Sequence, residues 1–258
     1  MNSVNTVQAA LFPTIDRIQP IEVLPEQFDN QNIVGFRNAD TRARPFKLLR
    51  AQIVRQMEER EIKVIGVTSA APNVGKTFVA SNMAAALSRI ADFDVYLIDL
   101  DLHRPAVAGR FAMEAEGWGI HDFLSGEQPD MGQIARRINE ERMVVVPGYR
   151  RDVATGELLA SAAGTQFFER LRTLPKNSVV IVDMPPIFAD DDAVIIGRHL
   201  DGFVLVVEDG KTTRKQVNET IRMLSPTPFM GAVLNRYRSQ LFADEYGYGF
   251  AYGYGGYY

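Results

Sequence analysis

Six short apolar runs punctuate the chain, at residues 63–69, 94–101, 143–148, 178–186, 202–209 and 230–235. Each is rich in β-branched residues and apolar at successive positions, the pattern of strands covered on both faces in a parallel sheet. Between them lie stretches of helical spacing that begin near Lys76, Ile120, Gly164, Asp191 and Thr213. Strand and helix in alternation predict an α/β fold with a doubly wound, mainly parallel sheet and helices on both faces. Ahead of the first strand, Phe46, Leu49, Ile53 and Met57 recur at helical intervals after Pro45, which predicts an amphipathic helix of about four turns.

The two ends read differently. Residues 1–41 hold Pro13, Pro20 and Pro25 among scattered polar residues and show no sustained period, so an extended arm or linker is expected there. Residues 42–242 form the α/β domain. Residues 243–258 alternate glycine with Tyr246, Tyr248, Tyr252, Tyr254, Tyr257 and Tyr258 and contain no aliphatic residue beyond alanine, a composition that predicts a flexible tail.

Composition narrows the chemistry. The 28 basic and 32 acidic residues leave a net charge of -4, so no global positive field draws nucleic acid. The absence of cysteine excludes disulfides, thiolate metal sites, iron–sulfur clusters and cysteine nucleophiles. No apolar run approaches the roughly 20 residues of a membrane span, and the first residues lack the pattern of a secretory signal. The three histidines, His103, His121 and His199, show no zinc-binding spacing, and no GxSxG elbow occurs. Trp118 and the fifteen phenylalanines read as core or interface residues.

Three segments carry candidate chemistry. The first strand runs into a loop ending Gly75-Lys76-Thr77, followed by a helix. A phosphate site needs inward backbone N–H groups at a helix N-terminus, a closely approaching glycine, a lysine for the β/γ oxygens and a hydroxyl for Mg²⁺. The loop can supply all four, although the P-loop pattern is imperfect because Ala70 stands at its first glycine. The second strand ends in Asp99-Leu100-Asp101, two carboxylates that face the same way at the ligand-binding end of a parallel sheet. Both are candidates for metal handling and for activating an acceptor hydroxyl. A later strand ends in Asp183 followed by Pro185 and Pro186, where a carboxylate can hold the water shell of a metal. Each motif also has a plain structural reading: a surface lysine after a turn, or an aspartate that caps a loop.

In this order, and with a terminal tyrosine cluster, the motifs resemble the bacterial tyrosine autokinases of polysaccharide export, the BY-kinases, which are P-loop proteins of the MinD/ParA-like branch. The resemblance runs from about residue 42 to the end and identifies residues 70–77, 95–105 and 179–186 with the Walker A, A′ and B segments. It implies ATP and Mg²⁺ as cofactors. Pro72, Asn73, Val74, Gly75, Lys76, Thr77 and Phe78 would form the phosphate loop, and Asn235 would contact the base. Lys76, Asp99, Asp101, Arg104 and Asp183 would be catalytic, with Asp99 rather than Asp101 beside the attacking tyrosine hydroxyl, Asp101 and Asp183 organising metal and water, and Thr77, Asp99, Asp101 and Asp183 around the metal. The tail tyrosines would be the acceptors, presented between subunits of a homo-oligomer. An inner-membrane polysaccharide co-polymerase or chain-length protein would supply an activating cytoplasmic segment and recruit this cytoplasmic protein to the membrane. The chain departs from the family pattern at Ala70 and Asn73, where relatives have glycine, and at His103, where they have arginine. The family's oligomerisation motif on the first helix maps onto Arg44, Lys47 and Arg50, of which only Arg50 is unchanged. These departures leave a second reading open, a nucleotide-binding regulator or scaffold with little kinase activity. A third, a ParA/MinD-like partitioning ATPase, lacks its signature lysine at Ala71.

Overall fold

The computed structural model describes residues 10–237. Short elements come first: β1 (Pro20–Ile21) and α1 (Pro25–Asn30) precede the long α2 (Arg44–Arg60). The nucleotide-binding half follows as β2 (Val64–Ser69), α3 (Lys76–Leu87), β3 (Asp94–Asp99) and α4 (Val107–Arg110). A more irregular stretch holds α5 (Ile120–Leu124), α6 (Met131–Ile134), β4 (Arg136–Ile138), β5 (Met143–Val146), α7 (Thr155–Ala160) and α8 (Ala162–Arg172). The chain continues through β6 (Ser178–Asp183), α9 (Asp192–Gly197), β7 (Gly202–Glu208), α10 (Arg214–Leu224) and β8 (Phe229–Asn235).

The strands form one sheet in the order β1-β4-β5-β3-β6-β2-β7-β8. Every neighbouring pair is parallel except β4 and β5. All six apolar runs are strands of this sheet. Period-2 alternation sends their side chains to two separate cores. Val64, Tyr96, Ile98, Val180 and Val182 join the core beneath α5, α8, α9 and α10. Ile65, Val67, Val95, Leu97, Val179 and Ile181 join the core beneath α2, α3 and α4. The expected doubly wound sheet with helices on both faces is thus what the chain builds.

The register decides where the chemistry falls. Asp99 at the end of β3 lies directly opposite Asp183 at the end of β6, and Asp183 in turn lies opposite Val67 of β2. The loop between β2 and α3 therefore leaves the sheet beside both aspartates. Thr68 donates to the carbonyl of Pro185 at 2.7 Å, which ties the exits of β2 and β6 together.

The expected extended arm is corrected for its described part. Leu11, Phe12, Ile15 and Ile18 are buried in one core, with the Phe12 ring 4.7 Å from that of Tyr96. Val23 and Ile33 are buried in the other. Asn82 of α3 accepts from the backbone N–H groups of Val34 and Gly35 at 2.7 and 3.0 Å, and a Cβ on Gly35 would meet the Asn82 carbonyl oxygen at 2.4 Å. The elements here are only two to six residues long and are broken by Pro13, Pro20 and Pro25, which explains why no lasting period marked this segment.

Candidate functional site

The phosphate loop is shaped by one glycine. Gly75 sits at φ +102, and a Cβ there would lie 2.2 Å from Nδ2 of Asn235. That amide donates to the Val74 carbonyl at 2.7 Å, so the end of β8 buttresses the loop from behind. Asn73 has φ +60, a left-handed backbone that asparagine tolerates better than most residues, whereas Ala70 is not among the residues of positive φ. Pro72 and Asn73 are exposed, Val74 is buried, and Thr77 and Phe78 lie in the first turn of α3, whose N–H groups have no intrahelical acceptor.

Lys76 is not a surface lysine. It is 9% exposed, and its Nζ lies 2.6 Å from Oδ2 of Asp101. Burial opposes its charge, but the fields of Asp183, Asp101 and Asp99 outweigh burial and hold the ammonium above its usual value. The same fields show that Lys76, Asp99, Asp101 and Asp183 converge at one rim of the sheet.

The three aspartates differ in what surrounds them. Asp99 is fully buried. Its Oδ2 accepts from the N–H groups of Ala106 and Val107 at 2.9 Å each, and Oδ1 accepts from Asp101 at 3.2 Å. Burial and then the charge of Asp183 push its carboxyl up to about 8, with those backbone bonds pulling the other way. Asp183 is also fully buried, and neither of its oxygens accepts a well-aligned hydrogen bond. Its pKa is pushed up to about 6 by burial, against the pull of Lys76 and the Thr77 hydroxyl. Asp101 accepts the Arg104 backbone N–H through Oδ1 at 3.1 Å and pairs with Lys76 through Oδ2.

Among the described residues, no three His, Asp or Glu side chains are grouped to hold a metal ion unaided. Of the four residues expected around a metal, Asp99 accepts three backbone N–H groups and Asp101 pairs with Lys76, while Asp183 and the Thr77 hydroxyl beside it are suited to Mg²⁺. That ion is commonly held by one or two protein groups together with phosphate oxygens and water.

Arg104 is exposed at the rim, and the loop uses its backbone rather than its guanidinium. A different arginine, not anticipated from sequence, reaches the site. Arg110 of α4 is partly buried, donates to the Gln31 carbonyl at 2.9 Å and lies over the Phe78 ring at 5.8 Å. Burial lowers its pKa while Asp183 raises it. Arg110 faces a cavity of about 380 Å³ whose walls include Gly75, Phe78 and Asn235 on one side and Arg42 and Phe46 on the other. Asn235 thus fronts this cavity while it braces the loop.

His103 marks a second missed feature. Thr155 donates to Oδ2 of Asp192 at 2.7 Å and must therefore accept from Nε2–H of His103, 2.8 Å away. This bridge joins the loop after β3 to the starts of α7 and α9. Asp192 is buried in it at 1% exposure. Lys47 and Arg50, expected at a subunit interface, bond within the chain to the carbonyls of Asn38 and Ala86. The tail tyrosines Tyr246 to Tyr258 lie outside the described residues.

Comparison with known proteins agrees with this geometry. Residues 65–246 match the CobQ/CobB/MinD/ParA nucleotide binding domain family. The chain is 31% identical over 193 residues to the tyrosine-protein kinase CpsD of Streptococcus agalactiae, across 74% of this chain and 82% of that protein. It is 30% identical over 207 residues to the tyrosine-protein kinase YwqD of Bacillus subtilis, across 79% and 84%. The kinase domain of the Escherichia coli tyrosine kinase ETK superposes with a TM-score of 0.73 at 28% identity, covering 88% of this chain and 85% of that domain.

Proposed function

The chain belongs to the bacterial tyrosine-protein kinases built on the CobQ/CobB/MinD/ParA nucleotide-binding domain, and from that premise we propose that it is an ATP- and Mg²⁺-dependent autokinase of its own tyrosines Tyr246 to Tyr258. The observation that carries the proposal is that Lys76, at the start of α3, pairs with Asp101 just beyond β3 and feels the charge of Asp183 at the end of β6, against a loop that only glycine can shape at position 75.

Mg²⁺ bound with the nucleotide would neutralise charge on the β- and γ-phosphates, and Thr77 and Asp183 are the residues to hold it. Lys76 exchanges its buried pairing with Asp101 for the phosphate oxygens. Asp101, released by that exchange, takes the proton of the tyrosine hydroxyl as its oxygen attacks the γ-phosphorus and the bond to the bridging β–γ oxygen breaks. Phosphotyrosine and ADP are the products. Asp99 is a positioning residue: its three backbone bonds hold the loop that carries Asp101. Positioning and charge neutralisation account for most of the catalysis in phosphoryl transfer, so this small set suffices.

The resemblance in sequence supports a role in exopolysaccharide polymerisation and export, with a membrane co-polymerase as activating partner, a homo-oligomeric state and recruitment to the inner face of the membrane. No helix among the described residues is long and apolar enough to cross a membrane.

The test is to incubate the chain with Mg-ATP, with and without a cytoplasmic fragment of a co-polymerase, and to map phosphate by mass spectrometry. Phosphotyrosine between Tyr246 and Tyr258, lost in Lys76→Met, is the expected result. Bound nucleotide with unmodified tyrosines would instead favour the regulatory or scaffold reading.

A further inference from the structure

A second hollow of about 560 Å³ opens beside the Asp99–Asp101 loop, lined by Trp118, Tyr149, Arg150, Arg151, Glu116 and Gly117. Its position follows from backbone contacts. Gly148, immediately before the lining residues, packs so tightly on Asp99 and Pro105 that a Cβ there would lie 3.3 Å from the Asp99 carboxyl carbon and 3.0 Å from Pro105. The chain leaving β5 that delivers Tyr149 and Arg150 to the hollow therefore touches the loop that carries Asp99 and Asp101 on the way.

The hollow is built rather than incidental. Arg151 donates to the Gly117 carbonyl at 2.8 Å and pairs with the buried Asp122 at 3.3 Å, which pins the loop carrying Trp118. That loop is pressed onto Tyr149, since a Cβ on Gly119 would lie 2.9 Å from the Tyr149 ring. Held in this way, Trp118 remains 49% exposed, an aromatic face set toward solvent at the hollow's edge. Arg150 is exposed beside it, while Glu116 lies on the rim and Glu114 and Arg136 act on the Tyr149 hydroxyl from nearby.

We propose that this hollow is the acceptor-peptide subsite and takes the segment 244–258 of the chain. Trp118 and Tyr149 offer aromatic surface to a segment in which tyrosine alternates with glycine. Arg150 offers a cation to Asp244 and Glu245 at its start and to the phosphate that each modified tyrosine gains. The inference rests on the kinase reading for its substrate. It adds residues that select the substrate rather than carry out the transfer.

Trp118 is the only tryptophan in the chain, and the segment contains none, so its emission reports occupancy of the hollow directly. A synthetic peptide of residues 244–258 is titrated into the full chain. A saturable change in Trp118 emission is expected, and a control peptide with serine in place of every tyrosine should produce none. Arg150→Glu should weaken peptide binding by about tenfold. In steady-state phosphorylation of the peptide, Arg150→Glu and Trp118→Ala should each raise KM by about five- to tenfold, with kcat and ATP binding within about twofold of the parent. Unchanged emission at saturating peptide, an equal response to the serine control, or an unaltered KM in both variants would overturn the subsite. A peptide that changes the emission of Trp118 but is never phosphorylated would support the subsite and sink the kinase reading instead.

Discussion

Replacing Asp183 with asparagine should stabilise the nucleotide-free chain at pH 8 while abolishing phosphotransfer. The carboxyl is wholly buried and accepts no well-aligned hydrogen bond, and burial pushes its pKa from 3.8 up to about 6. Holding the charge in the folded state therefore costs roughly 3 kcal/mol at high pH. The direction with pH follows from proton counting. Between pH 3.8 and about 6 the folded chain binds more protons at this group than the unfolded chain does. Stability from the group is thus present below about pH 4 and is lost as the pH rises through 6. Asparagine carries no such dependence. Rearrangement of Lys76, which loses one attracting charge, trims the gain to about 1–3 kcal/mol at pH 8, against well under 1 kcal/mol at pH 4. For a chain of this size that corresponds to a Tm higher by roughly 3–10 °C at pH 8. Thermal unfolding of parent and Asp183→Asn chains at both pH values, without nucleotide, measures the difference. Mg-ATP should then raise the Tm of the parent by more than that of the variant, because the carboxylate is useful only when ligand is bound. A variant less stable than the parent at pH 8, or an offset equal at both pH values, would refute the reasoning, since either means that Asp183 is well solvated or well paired.

The other perturbations act on neighbouring parts of the site. Lys76→Met strips the nearest cation from three buried carboxylates and should lower stability by roughly 2–4 kcal/mol at pH 8, and by less at pH 5, without preventing folding; melts at the two pH values and phosphotyrosine mapping check it. Gly75→Ala combines a left-handed φ with a Cβ 2.2 Å from Asn235, so a cost of about 1–3 kcal/mol and loss of nucleotide binding are expected, measurable by unfolding and by calorimetric titration with ATP. Deleting residues 244–258 should leave ATP affinity unchanged and remove nearly all autophosphorylation, seen by titration and by mass spectrometry.

Much of this was legible in the sequence because a parallel sheet writes itself plainly. Strands buried on both faces appear as unbroken apolar runs, and their C-terminal ends are where such sheets bind ligands, so Lys76, Asp99, Asp101 and Asp183 could be located from order alone. What stayed hidden depends on contacts without a period. Leu11, Phe12, Ile15 and Ile18 are buried in the core, but their near-helical spacing is broken by Pro13 and ends at Pro20, too short a stretch to build more than the 3-10 turn Ile15–Arg17 or to leave a lasting period. The strand β4 is three residues long and antiparallel to β5, too short to show any pattern. Arg110 reaches the cavity from a helix of four residues, and His103 in its loop meets Thr155 and Asp192 at the starts of two helices far away in sequence. The resemblance put Asp99 rather than Asp101 beside the tyrosine hydroxyl; the proposed assignment reverses this, because the three backbone N–H groups that Asp99 accepts commit it to holding the loop, which sequence alone does not reveal.

The departures at Ala70 and Asn73 look different once backbone geometry is known. Glycine is needed where φ is positive or where a Cβ has no room, and neither demand is general across a phosphate loop. Asn73 supplies the positive φ itself, and Ala70 is buried without one, so only Gly75 meets both demands. The loop's shape therefore does not distinguish a kinase from an inert nucleotide-binding scaffold. The deciding quantity is the competition for Lys76. In the nucleotide-free chain the ammonium is committed to Asp101 at 2.6 Å, inside a cluster where carboxylates outnumber it. On the proposed mechanism a triphosphate with its metal must offer Lys76 more than that pairing does, and the same exchange would free Asp101 for the tyrosine proton. Nucleotide binding and arming of the base would then be one event, and a chain that binds ATP without this exchange would be the scaffold.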